Sequence, residues 1–304
     1  MSASTGRKYG ISDFFSGYFS NFGRLIIVNL LFSAPLAVLI GVMALLIVRF
    51  GELSWFVIFL LIPLMSPFFA GLTNVCRKLV SENSFRPVKD FFKGIKENWL
   101  FFLINSIFFY ALTAGMFMMI TINRESGGGP VLVYLIIMSL TSLVFLMMEF
   151  SALVMAASVD IGFTDILRNS LVLIGKGITN HLKTLFALLF AAFVLYTIIA
   201  TIPSMIVSLI VVGVLTALLL PALLTYIVVY NSYQTIEKHV IMPFRRQTER
   251  DEQIRLEKEK EDSLTIDELL PLSKGDPEEY VFLNGKTLKR KTILKMIEVR
   301  QNKE

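Results

Sequence analysis

The chain has 304 residues, 55% of them hydrophobic and only 17% charged, with a formal net charge of +5. Soluble domains carry about a quarter charged residues, and here long uncharged stretches precede a highly charged last part, which excludes one large soluble globule. The single cysteine, Cys76, excludes an intramolecular disulfide; His181 and His239 lie in separate segments without ligand-spaced partners, which argues against a zinc site.

In chain order, residues 1–24 lack the pattern of a cleavable leader, and the apolar run that follows is expected to be retained as a span. A helix rises about 1.5 Å per residue, so crossing a hydrocarbon core of about 30 Å takes about 20 apolar residues. On that basis the sequence predicts an all-α integral membrane protein with six transmembrane helices, at about 25–48, 53–75, 99–122, 131–157, 184–202 and 205–230. The last two are separated at Ile202-Pro203-Ser204, where proline ends the helix. The membrane domain is then 1–231, and 232–304 is a charged cytoplasmic tail.

Lys and Arg accumulate on the cytoplasmic side of membrane proteins. Segments on the side of the termini hold 27 of the 29 basic residues; only Arg49 and Arg124 fall opposite. Both termini are therefore expected in the cytoplasm. The external connections are Arg49-Phe50-Gly51-Glu52, the stretch around Gly127-Gly128-Gly129, and the turn at Pro203; Trp55 and Trp99 fall at opposite interfaces.

Three cytoplasmic segments resemble one another. Ile11-Ser12-Asp13-Phe14-Phe15-Ser16-Gly17 leads to Asn21, Val88-Lys89-Asp90-Phe91-Phe92-Lys93-Gly94 leads to Asn98, and Phe163-Thr164-Asp165-Ile166-Leu167 forms a weaker third copy. Asp13, Asp90 and Asp165 are 77 and 75 residues apart, with apolar residues at −2, +1, +2 and +9 in each copy. That spacing gives one helical face. It predicts three interfacial amphipathic helices, each preceding a hairpin of two spans, with Ser12 and Thr164 as N-caps and Pro87 as a first helical residue.

Over residues 20–110, Asn29-Leu30-Leu31-Phe32, Pro35, Gly71-Leu72-Thr73, Arg77-Lys78-Leu79-Val80 and the run Asp90-Phe91-Phe92-Lys93-Gly94-Ile95-Lys96-Glu97-Asn98-Trp99 resemble the YesL-like family of bacterial integral membrane proteins. The resemblance implies a protein of the bacterial cytoplasmic membrane, often encoded beside carbohydrate uptake systems. It implies no catalytic residue and no cofactor.

No Walker motif, His-Glu-x-x-His or Gly-x-Ser-x-Gly is present. Gly285-Lys286-Thr287 follows Asn284, and Asn-Gly signals a hairpin turn. The chain is not expected to be an enzyme or to hold a metal. Glu149 is the one ionisable residue within a span; it is a candidate for coupling or substrate contact, or a structural residue close enough to the inner interface to reach water. Asn29 and Asn105, in the first and third spans, are candidates for interhelical bonding or solute contact. The stretch Ile62-Pro63-Leu64-Met65-Ser66-Pro67 is a candidate break lining a cavity, with Pro63 and Pro67 as breakers.

The tail carries charge-paired sequence from Ser232 to about Asp262, then apolar clusters too sparse for an independent core, which suggests docking onto a partner or the membrane domain. Two functions stay open: a transport-associated protein, accessory to or part of carbohydrate or solute uptake, and a membrane-anchored scaffold or signalling adaptor acting through the tail. The partners expected are the lipid bilayer and carbohydrate-transporter subunits, with self-association open and no nucleic acid.

Overall fold

The computed structural model describes residues 9–50, 58–126, 130–262, 266–283 and 286–301. Part of the second span with Trp55, the external Gly51-Glu52 and Gly127–Gly129 stretches, and the Asn284-Gly285 turn lie outside these. Residues 1–241 and 242–304 form two compact units.

The first unit is helical. Its elements are α1 (Ile11–Ser20), α2 (Phe22–Phe50), α3 (Leu61–Glu82), α4 (Pro87–Ser126), α5 (Pro130–Ser158), α6 (Phe163–Lys176), α7 (Ile178–Thr201), α8 (Met205–Leu218) and α9 (Leu220–Ile236), closed by a π-helical turn at Glu237–Ile241. Four of them, α2, α4, α5 and α7, are long and apolar enough to cross a membrane, or five with α8 and α9 counted as one bent span. Their flanks carry exposed Val38, Leu45, Phe108, Leu140, Phe190 and Ile206 among many others. So much outward apolar surface suits lipid, not water.

Helices α3, α5 and α9 touch one another pairwise and form the inner layer. Leu72, Val75 and Leu79 of α3, Ala152 and Met155 of α5, and Ala222, Tyr226 and Val229 of α9 are buried there. The three motif helices pack against this layer: α4 begins against α3, α6 lies on α5, and α1 lies on α9. The first motif is thus held by the last apolar helix of the unit. Tyr230 Oη donates to Gly10 O at 2.9 Å and Tyr18 Oη to Leu219 O at 3.3 Å.

The motif residues repeat their local roles. Asn21 Nδ2 donates to Gly17 O, and Asn98 Nδ2 to Gly94 O. Asp13 accepts from the backbone of Gly10, and Asp90 from that of Arg86. Both motif glycines mark close approaches. A Cβ on Gly94 would lie 2.5 Å from Asn74 Cβ, and one on Gly17 would lie 2.7 Å from Tyr226 Oη. The N-caps differ from expectation. Gly10 and Gly162 occupy those positions in extended conformation, and Ser12 and Thr164 fall two residues later, within the first turn. Asp13 reaches back to the backbone N–H of Gly10, so the cap residue needs no side chain of its own. Pro87 does begin α4. The second copy also runs without a break through Asn98 into the long helix α4, whereas α1 and α6 end at Asn21 and Gly177.

Breaks in the apolar helices fall where side chains permit them. α3 continues through Pro67, so Ile62–Pro67 is not an interruption. Pro67 lacks the N–H that would bond Pro63 O, and Ser66 Oγ donates there instead at 2.8 Å. The break lies between α8 and α9, which meet at Leu219 with a bend of 51° ahead of Pro221.

The second unit holds α10 (Met242–Asp262), α11 (Ile266–Ser273), an antiparallel pair β1 (Tyr280–Leu283) and β2 (Lys286–Lys289), and α12 (Arg290–Gln301). Leu269, Leu283, Ile293 and Ile297 are buried together, with Leu272, Val281, Leu288 and Met296 around them. The apolar clusters of the tail therefore form a small core of their own, because the hairpin folds β1 onto α11 and α12. Ser232, Tyr233 and Ile236 are buried within the first unit, which runs to Ile241.

Candidate functional site

A cavity of about 300 Å³ opens between α3, α4, α5, α7 and α9. Phe69, Phe102, Phe109 and Phe150 contribute aromatic walls, and Ser66, Thr73, Asn105, Ser106 and Thr225 its neutral polar groups. Glu149 is the one ionisable residue lining it. The site arises simply from helix geometry: Phe102, Asn105 and Phe109 recur at three- and four-residue spacing and so share one face of α4, while Leu146, Glu149, Phe150 and Leu153 do so on α5.

Glu149 is 5% exposed and Asn105 3%. Asn105 Nδ2 donates to Glu149 Oε2 across the α4–α5 interface. Glu149 Oε1 has no hydrogen-bond partner among the described residues. Counting rise along the helix places Glu149 near the inner interface; in the structure its side chain turns inward, is buried and lines the cavity. A buried carboxylate oxygen without a donor is costly when charged, so the cavity has an unmet demand for a proton or a cation.

Asn29 sits elsewhere. Its Nδ2 donates to Leu218 O at 2.8 Å, and its Oδ1 accepts from Ala222 N at 2.7 Å. In an unbroken helix, that carbonyl and that N–H would bond each other. The amide of Asn29 is inserted between them and bridges the α8–α9 break. Ser33 Oγ adds a bond to Thr216 O at 3.1 Å. Pro63 and Pro67 do not line the cavity; their neighbours Ile62 and Ser66 do.

The motif residues form a separate framework. Asp90 accepts from Lys78 Nζ at 2.7 Å, and its own carbonyl accepts from Asn74 Nδ2 at 2.7 Å. Asp13, Asn21 and Asn98 bond locally, and Asp165 lies in the first turn of α6. None of these lines the cavity.

His181 is a buried polar residue that its position in the sequence does not single out. It is fully buried, stacks on Phe150 and lies 3.4 Å from Ser151 Oγ through Nε2. Among the described residues, no three His, Cys, Asp or Glu side chains are grouped as a metal site requires. A wider groove of about 700 Å³ between α1, α7, α8 and α9 is lined mainly by apolar residues such as Phe14, Phe186 and Phe190 and holds none of the candidate residues.

Comparison of the chain with protein-family profiles, curated proteins and solved structures finds no match.

Proposed function

We propose that this chain is a transport-associated protein of the bacterial cytoplasmic membrane whose cavity around Asn105 and Glu149 is a solute site. The observation that carries this reading is the buried Asn105–Glu149 pair lining an interhelical cavity of about 300 Å³. Intramembrane carboxylates are expensive and mark substrate or ion pathways, and a cavity between helices is where such sites form.

Six spans, in three repeats of motif helix plus hairpin, follow if the apolar stretch preceding α3 completes the second span and α8–α9 act as one. The matching Asn–Gly bonds and glycine contacts in the first two copies support the repeat. The distribution of Lys and Arg supports cytoplasmic termini. The resemblance to the YesL-like family supports an origin beside carbohydrate uptake. With so few polar groups in the cavity, the chain fits an accessory to such a system, or a permease for a less polar solute, better than a sugar carrier. A scaffold or adaptor role is favoured by one observation, the separate core of the tail around Leu269, Leu283, Ile293 and Ile297.

The test is access. The native Cys76 is fully buried, so Ser106→Cys can be introduced into the otherwise unchanged chain. A solute site predicts that a small thiol reagent labels it from at least one face of oriented vesicles. Absence of labelling from both faces, with Ser204→Cys labelled as a control, would remove the solute-site reading and leave the scaffold.

A further inference from the structure

We infer that the solute of the Asn105–Glu149 cavity is an apolar organic cation, an ammonium carried on a small hydrophobic or aromatic body, which exchanges with a proton on Glu149. The inference rests on the reading of this cavity as a solute site and names what the site selects.

The lining holds one carboxylate and no Lys, Arg or His. A lone ionised carboxylate in a low-dielectric site needs a compensating positive charge. Asn105 gives Glu149 one hydrogen bond and no charge, and Oε1 receives none from the described residues. Two species meet that need: a proton, or a cation brought by the ligand.

The walls decide what kind of cation. Phe69, Phe102, Phe109 and Phe150 line the same cavity as the carboxylate, and aromatic faces attract ammonium groups electrostatically while burying the apolar body attached to them. A small metal ion would need several oxygen ligands around it; one carboxylate and scattered hydroxyls offer a poor cage. An anion would meet the carboxylate with like charge. A sugar would bring a hydroxyl on nearly every carbon to a lining whose only polar side chains are Ser66, Thr73, Asn105, Ser106, Thr225 and Glu149, and each unpaired hydroxyl is costly.

The exchange balances. With the cavity empty, Glu149 carries a proton and the site is neutral. As the ammonium enters, the Glu149 O–H bond breaks, the proton leaves to water, and the carboxylate pairs with the incoming charge. One positive charge replaces another, and no redox partner is needed. The groups facing Glu149 from other elements are Ser66 and Thr73 of α3, Asn105 and Ser106 of α4, Leu188 of α7 and Thr225 of α9, none of them titratable near neutrality. The nearby imidazole is that of His181, which stacks on Phe150 and approaches Ser151.

The experiment uses the full chain in lipid nanodiscs, with empty discs as reference. The two probes share a shape and differ in charge: benzyltrimethylammonium, and neopentylbenzene, in which carbon replaces the ammonium nitrogen. Calorimetry in buffers of different ionisation enthalpy reports affinity and proton release together. The native chain is expected to bind the cation at least about tenfold more tightly than the hydrocarbon and to release about one proton. Glu149→Gln should lose that preference and the proton release while still binding neopentylbenzene, which also shows that the variant is folded. Equal affinity of the native chain for both probes, or unchanged cation binding in Glu149→Gln, overturns the cation assignment and leaves the solute site standing. Binding of neither probe to the native chain overturns both.

Discussion

Replacing Asn29 tests whether a single amide holds the α8–α9 break. Its two hydrogen bonds, 2.8 Å to Leu218 O and 2.7 Å from Ala222 N, span the pair of backbone groups that the break separates. A net hydrogen bond is worth about 0.5–1.5 kcal/mol, and interhelical bonds in membrane proteins average about 0.6. Asn29→Ala should therefore cost about 1–3 kcal/mol, and about 2 kcal/mol corresponds to roughly thirtyfold in the unfolding equilibrium. Asn29→Asp keeps the acceptor for Ala222 N but sets a buried carboxylate oxygen against Leu218 O, so it should cost at least as much as alanine. Reversible unfolding in mixed micelles, followed by tyrosine fluorescence, measures the series. If Asn29→Ala unfolds within about 0.3 kcal/mol of the native chain, a difference inside ordinary mutational scatter, the bridge does not hold the break.

Two further predictions follow from geometry and charge. Gly94→Ala places a Cβ 2.5 Å from Asn74 Cβ and 2.8 Å from Ala70 O, so α3 and α4 must separate at a cost of about 1–3 kcal/mol; Gly41→Ala, with nothing within 4 Å, should be neutral or stabilising by up to about 1 kcal/mol, and the same unfolding assay separates them. In the tail, hydrogen bonds from Lys289 and then Lys291 hold the Glu278 carboxyl well below its ordinary value, at about 2. Because the folded value is the lower one, its support for the hairpin should be complete above the ordinary value of 4.5 and fade as pH falls through about 2. The carbon shift of the Glu278 carboxyl across an acid titration reads this directly, and a midpoint near 4.5 would show that the two lysines do not engage it.

What could be read from the sequence was what local chemistry determines. The helix starts near Asp13, Asp90 and Asp165, the apolar stretches and the turn at Pro203 depend on neighbours a few residues away. Ser66 shows the opposite case: its hydroxyl mends the bond that Pro67 removes, so a proline pattern that suggests a break yields an unbroken helix. The break at Leu219 was hidden because the group that stabilises it, Asn29, is 189 residues from Leu218. Glu149 illustrates the same limit. Its depth can be counted from helix rise, but its burial depends on rotation toward Asn105, 44 residues earlier. In the tail the apolar residues were visible; that they form a core depends on a hairpin bringing separate clusters together.

The contact of α1 with α9 also bears on how the protein is made. Tyr18 bonds to Leu219, 201 residues further along, so the bonds that tie the first motif helix to α9 form only once nearly the whole first unit has left the ribosome. At roughly 5–20 residues per second this is a wait of about 10–40 s. Through that interval Phe14, Tyr18 and Gly17 wait for Tyr226, Tyr230 and Leu219, and assembly ends when the last apolar helix reaches the first.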